Sequence, residues 1–394
     1  MRRACVFASL LLGILTVGVV AAAPAGLSQP HSTSISTPRA VPKSPGISDL
    51  TAMPAACRDY SHIAAPSAAP ADPTALLHSY LTRVLTKVPK TQQGEHLGEQ
   101  CTIEPLNLIG GNFPIVNFPD AVSSLEGLAS PEVVYNSSHS EYLIVWQGFS
   151  RATSDNIYAR RLSAAGSLQG SLFAVCEAAG QQVAPAVAYD ANGDQYWVVW
   201  VDFRSGETGK VYARRLASNG ALLGSEIVVN TSSHFAFAPR VACGEGYSVI
   251  VWTESYGNSL EVCARRYNGT GNAVTNVVRV SSAGAQAGIP DIVYEPVGHH
   301  FMVVWQELHS GGAGWDIMGQ RLAGPLYLDG GLLTISSSSG DQKEPRVAYN
   351  AASDRYCVVW QDGRSLQTWD IYGQLLSRWG MLIGSALPIF TGDF

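Results

Sequence analysis

Four times in this sequence of 394 residues an acidic side chain follows a tryptophan by two positions: Asp202 after Trp200, Glu254 after Trp252, Glu307 after Trp305 and Asp362 after Trp360. A fifth tryptophan, Trp146, has Gly148 in that place. Carboxylates at one position of a repeat form a ring if the repeats themselves close into one. Such a ring could hold calcium, which prefers hard oxygen ligands, or bring two carboxyl groups together for glycoside hydrolysis. It could also serve ion pairing, because Arg204 and Arg364 follow Asp202 and Asp362 by two residues, and the pairs Arg214/Arg215 and Arg265/Arg266 recur nearby. The loops beyond the tryptophans vary in sequence and carry Phe149, Phe203, Tyr256, Trp315 and Trp369, rings that could stack on sugars or pack on a partner. A constant scaffold with variable loops is how binding surfaces are built. The candidate face therefore comprises Asp202, Glu254, Glu307, Asp362, Arg204, Arg364, Trp315 and Trp369. No residue stands out as catalytic. His299, His300 and His309 lie in turns and loops without a carboxylate at a metal-binding spacing, so no metal set is assigned.

The elements that must position these side chains repeat. Prolines stand at 131, 185, 239, 290 and 345, so successive spacings are 54, 54, 51 and 55 residues; the tryptophans at 146, 200, 252, 305 and 360 keep spacings of 54, 52, 53 and 55. Each unit reads as four short strands: a "PAVAY"-like first, a polar turn such as "DANGD", a "YWVVW"-like second, a "DIYGQ"-like third and a weaker fourth. Asn-Gly and Asp favour tight hairpins. The second strand is apolar on both faces and must be buried on both. Four-stranded units near 50 residues with doubly buried inner strands predict an all-β fold, a β-propeller of about five four-stranded blades, with six as the reserve count. The tryptophans then fill the gaps between blades. "LIGGNFPIV" at Leu108–Val116 copies "LIGSALPIF" at Leu382–Phe390, the last strand of the fifth unit, yet lacks a blade of its own.

The phrases "VVWQDGR" and "WDIYGQ" resemble a group of secreted, mostly bacterial repeat proteins whose units read P-x-V-A-Y…V-V-W-x-D-x-R…D-I-Y-G-Q-R-L. The resemblance covers about residues 131–394 and implies an extracellular propeller, with little implied about ligands. The third unit departs most, with Cys243 and Cys263 where tyrosines are usual and Glu254-Ser255 in place of Asp-x-Arg.

Upstream, "MRR", an apolar run and "AAAPA" read as a signal peptide over residues 1–25. Residues 26–71 have the Pro/Ser/Ala-rich composition of a disordered linker. Residues 72–107 hold one short helix and a lead-in, the helix opened by Asp72 and Pro73 with an apolar stripe from Leu77 to Val88; residues 108–394 form the propeller. No later apolar run approaches the roughly 18 residues of a membrane helix. Charged residues make up 14% of the chain, against about 25% in typical proteins, and the net charge of −6 offers nothing to neutralise phosphates, which argues against nucleic acid. Cys57 and Cys101 flank the helix outside the repeats and are the candidate disulfide, while Cys243 and Cys263, on first and third strands of one blade, are too far apart to bond to each other.

Every first and second strand reads as apolar and interchangeable, with no unit marked out by unique inner polar residues. The expectation is therefore a secreted, non-catalytic propeller scaffold, extracellular or at the cell surface, that binds a glycan or an extracellular protein. It needs no cofactor, calcium being the one ion the acidic ring would suit. The alternative is a glycosidase-like enzyme using carboxylates on the propeller face. Self-association through the extra strand at Leu108–Val116 is a third possibility, since an unpaired edge is adhesive.

Overall fold

The structure is a computed structural model that describes Ile115 and residues 125–391, with breaks at 151–153, 207, 310–313 and 366–367. The expected signal peptide, linker and helix, together with Cys57 and Cys101, lie outside the described residues. Among the described residues, twenty strands form five antiparallel sheets, each joined in simple sequence order or its reverse. Blade 1 contains β1 (Leu125–Asn136), β2 (Glu141–Ser150), β3 (Ser154–Ser163) and β4 (Leu168–Cys176); blade 2 contains β5 (Gln182–Asp190), β6 (Gln195–Asp202), β7 (Lys210–Ala217) and β8 (Leu222–Val228). Blade 3 contains β9 (Ala236–Gly244), β10 (Tyr247–Tyr256), β11 (Ser259–Asn268) and β12 (Val278–Arg279); blade 4 contains β13 (Ala287–Glu295), β14 (His300–Leu308), β15 (Trp315–Ala323) and β16 (Tyr327–Ser336). Blade 5 contains β17 (Gln342–Asn350), β18 (Arg355–Asp362), β19 (Asp370–Ser377) and β20 (Leu382–Phe390). The molecule is the expected five-bladed β-propeller.

The innermost strands contact one another in turn, β1 with β5, β5 with β9, β9 with β13 and β13 with β17. Each first hairpin is closed by its own chemistry. In blade 1 the Asn136 side chain accepts the amides of Ser138 and His139 at 3.0 and 3.1 Å, and Asp190 and Asn350 do the same in blades 2 and 5. These are side-chain turns in which a short polar residue replaces a backbone acceptor.

The repeated tryptophans explain the packing. Trp200 lies with Tyr196, Val198 and Leu216 against Leu143, Val145, Ile157 and Val175 of blade 1. Trp252 packs on Trp197, Val199 and Val211 of blade 2, and Trp305 on Val249, Val251 and Val262 of blade 3. Trp360 packs on Met302, Val304, Ile317 and Ile335 of blade 4. One face of each blade thus carries the indole and the other receives the next one. The strand β6 is buried at every position, as its unbroken apolar run requires.

Blade 5 breaks this pattern. The face that would receive a sixth indole is open: Ile371, Leu387, Ile389 and Cys357 are exposed and Val359 is half-buried. Blade 1 presents the matching indole face, with Trp146 buried beside Leu125, Tyr158 and Ile115 but Val133 and Tyr135 exposed. Among the described residues, β17 and β1 make no contact comparable to those between the other inner strands.

Each inner strand also bends at one place. The residue before each proline has a positive φ: Ser130 at 51°, Ala184 at 53°, Ala238 at 51°, Ile289 at 53° and Glu344 at 54°. The ladder slips at the same place in every blade. This is a β-bulge, which unpairs one residue and re-aims its neighbours, and proline suits it because a bulge has no use for that amide. Side chains of the preceding blade tie down three of the bulges: Gln147 accepts the amide of Ala184, Thr253 that of Ile289 and Gln306 that of Glu344, at 2.9 to 3.1 Å.

Candidate functional site: charged residues on the propeller axis

The ring of acids was the first candidate, and its oxygens turn into their own blades. Asp202 accepts the Trp200 indole N–H at 2.9 Å, and Arg204 donates to it from its backbone amide at 2.8 Å, from Nε at 2.9 Å and from Nη2 at 2.6 Å. Asp362 repeats the arrangement with Trp360 at 2.8 Å and Arg364 at 3.0, 2.8 and 2.6 Å. Both guanidinium groups stack on the tyrosine of the third strand, 4.3 Å from the Tyr212 ring and 3.7 Å from the Tyr372 ring. The hydrogen bonds to the acids hold both arginines above their ordinary pKa. Glu254 accepts from the Trp252 indole at 2.7 Å and from the Ser232 hydroxyl. Blade 1 shows why Gly148 replaces the acid: a Cβ there would meet the Tyr158 ring at 2.8 Å. Among the described residues, the Trp146 indole N–H accordingly has no hydrogen-bond partner.

Glu307 differs. It accepts the Trp305 indole at 2.9 Å but has no arginine, and β14 places it opposite Asp316. Burial pushes its carboxyl above the usual range, opposed by the Trp305 hydrogen bond and aided by the Asp316 charge. Asp316 itself is held by His309 Nδ1 at 2.9 Å. The two candidate tryptophans are brought together by a cation: Lys343 Nζ lies 5.9 Å from the Trp315 ring and 5.6 Å from the Trp369 ring. Trp315 is buried among Leu308, Ile289 and Phe237, whereas Trp369 is half-buried. His299 pairs with Glu245 and His300 with Asp329, in the turns and strands where the sequence places them. Among the described residues, no group of three or more His, Cys, Asp or Glu could hold a metal ion.

A second constellation forms where the sequence reading saw only apolar strands. The residue after each bulge proline is Glu132, Ala186, Arg240, Asp291 and Arg346 in blades 1 to 5. Arg240 Nη2 lies 3.5 Å from Glu132 and its Nε 3.8 Å from Asp291. Asp291 also accepts the Val347 amide of blade 5 at 2.9 Å. The charges of Arg240, Asp291 and Glu132 all act on Arg346. Side chains of blades 1 and 3 can touch only across the axis, and the small Ala186 of blade 2 leaves them room to do so. Burial raises the Asp291 carboxyl above the usual range, against the pull of Arg240 and Arg346. Burial likewise lowers Arg346. Asp291 keeps 15% of its side chain exposed and Glu132 keeps 40%.

The axis therefore holds two carboxyl groups in unlike surroundings. Because both lie against one guanidinium, they are no more than about 10 Å apart, a limit that spans the separations used by retaining and inverting glycosidases. A carboxyl raised by burial, as Asp291 is, beside a second and more exposed carboxyl is an arrangement that can supply an acid and a base in one site. The signal was in the sequence: the residue after each bulge proline changes from Glu to Ala, Arg, Asp and Arg along the five units, while the residue after it stays Val or Ile.

No family model matches the chain, and no curated protein matches it. Solved structures similar to it include an endo-arabinase from Bacteroides thetaiotaomicron, with 13% identity, 67% of this chain and 94% of that chain covered, and a TM-score of 0.40. An α-L-arabinanase of Penicillium chrysogenum complexed with arabinobiose has 12% identity, with 68% and 82% covered and a TM-score of 0.45. A Hadza microbial sialidase has 12% identity, with 69% and 60% covered and a TM-score of 0.47. At these identities the likeness is one of fold. All three are carbohydrate-active enzymes, whereas a non-catalytic scaffold, leaning away from an enzyme, was the expectation for this chain. That expectation rested on interchangeable apolar inner strands, and it is corrected here: the axis of this propeller carries unlike charged residues from four of its five blades.

Proposed function

We propose that this chain is a glycosidase-like, carbohydrate-active propeller working at the axial cluster. The meeting of Glu132 from blade 1 and Asp291 from blade 4 on the Arg240 guanidinium of blade 3 carries this reading. Asp291, with its carboxyl raised by burial, keeps a proton to higher pH than an exposed aspartate and donates it to the glycosidic oxygen. Glu132, the more exposed of the two, acts from the other side of the sugar as base or nucleophile. Arg240 positions both carboxylates. The substrate is a glycan, reached outside the cell if the N-terminal segment acts as the signal its composition suggests.

The test is hydrolysis of a panel of arabinan, xylan and sialoside oligosaccharides and their aryl glycosides. The wild-type chain is expected to cleave at least one class. Asp291→Asn and Glu132→Gln should each reduce kcat by at least about a hundredfold, within the range ascribed to general acid–base catalysis. Turnover by Asp291→Asn at the wild-type rate would remove the axial pair from the chemistry.

A further inference from the structure

The open face of blade 5 has the composition of an interior. In blade 4, Met302, Val304, Ile317, Leu333 and Ile335 pack against Tyr356, Val358, Trp360 and Leu376 of the next blade. Their equivalents in blade 5 are Cys357, Val359, Ile371, Leu387 and Ile389, which the repeat spacing places on the same face. Gly373 confirms the geometry: a Cβ there would lie 3.3 Å from Val359 and 3.4 Å from Ile389. Yet Leu387 is 52% exposed and Ile389 60%. Exposed apolar patches of this kind mark contacts with something else.

One described residue lies just upstream of blade 1. Ile115 sits on the facing wall, packed with Leu125, Trp146 and Tyr158 of blade 1, and its carbonyl accepts Arg160 Nη1 at 2.7 Å. The seven residues before it, 108–114, read "LIGGNFP" and copy the start of the β20 sequence. In extended form seven residues reach about 23 Å, ample for the roughly 10 Å between packed sheets.

We propose that residues 108–114 of the same chain lie against the open face of blade 5, filling the gap between it and blade 1. Leu108, Ile109 and Phe113 supply the apolar surface that a sixth indole face would have supplied. The inference is independent of whether the axial cluster hydrolyses glycans.

Cys357 is the reporter, being the one exposed cysteine among the described residues. The full chain is treated with a maleimide, and the adduct at Cys357 is followed by peptide mapping, in the wild type and in a chain with 108–114 replaced by Gly and Ser at equal length. Wild-type Cys357 is expected to react at least about tenfold more slowly than in the replacement chain, a protection of the kind that a packed segment confers, and the rate should not change on dilution. Equal rates in the two chains would overturn the proposal. So would protection that fades on dilution, which would place a second copy on this face. If the replacement chain does not fold, Gly111→Cys takes its place. An oxidative bridge from the introduced thiol to Cys357 within one chain supports the proposal, and its absence overturns it.

Discussion

Asp202 shows what the repeated carboxylate does at the scale of a residue. Its two oxygens take an indole proton and three donors of Arg204 in a fully buried position. Removing it leaves a buried indole without its acceptor and Arg204 with Glu226 as its remaining acid partner, so Asp202→Ala should cost about 2–3 kcal/mol in urea unfolding. A cost below about 1 kcal/mol would mean that the pair adds little beyond solvation. Asp291 makes a different prediction. A carboxyl raised in the folded state adds stability that is complete below its unfolded value, near 3.9, and that is lost as pH rises through the folded value. The stability difference between wild type and Asp291→Asn should therefore shift against the wild type as pH is raised from about 3.5 to 7. Melting curves of both proteins across that range measure it, and a pH-independent difference would assign Asp291 an ordinary carboxyl.

The bulge before each proline is the feature to examine at the scale of an element. Non-glycine residues at positive φ cost about 1–2 kcal/mol, and a β-branched residue such as Ile289 is disfavoured there. All five units keep this conformation, which carries the charged residues of four of them toward the axis. At Ala238 the strain can be separated from packing, because only a methyl group is lost on change to glycine. Relief of strain and loss of about 0.8 kcal/mol of burial should nearly cancel, leaving Ala238→Gly within about 0.5 kcal/mol of wild type. Ala242→Gly, in the same strand without the positive φ, should cost about 1 kcal/mol. Equal losses at the two sites, by chemical denaturation, would argue that Ala238 is unstrained.

For the whole molecule, stability should follow the depth of each strand in the ring. The second strands β6 and β10 are covered on both faces, whereas β8 is largely exposed and β12 is two residues long. Native-state hydrogen exchange should find β6 and β10 opening only with global unfolding and the outer strands opening well below it. Protection in β12 equal to that in β10 would show that blade 3 is held at its rim by more than its strand pairing.

The fold was legible because a propeller blade cannot bury its faces alone: two landmarks at a period near 54 residues, and apolar runs such as "YWVVW", oblige each unit to be covered by its neighbours. The pairing of Asp202 with Arg204 was equally readable, since the two are two residues apart at one strand end, whereas the indole N–H of Trp200 as a further donor to Asp202 came only from the structure. Glu132, Arg240, Asp291 and Arg346 were not readable. Successive members are separated by 51 to 108 residues, and in a strand pattern each passes as one polar position beside a proline. Only closure of the blades around an axis turns one position per unit into neighbours, and only the bulge, a backbone conformation that propensity does not encode for Ile289 or Glu344, aims them there. The open face of blade 5 was hidden for the same reason: its sequence is that of an interior, and whether an interior face is covered is decided by what lies across from it.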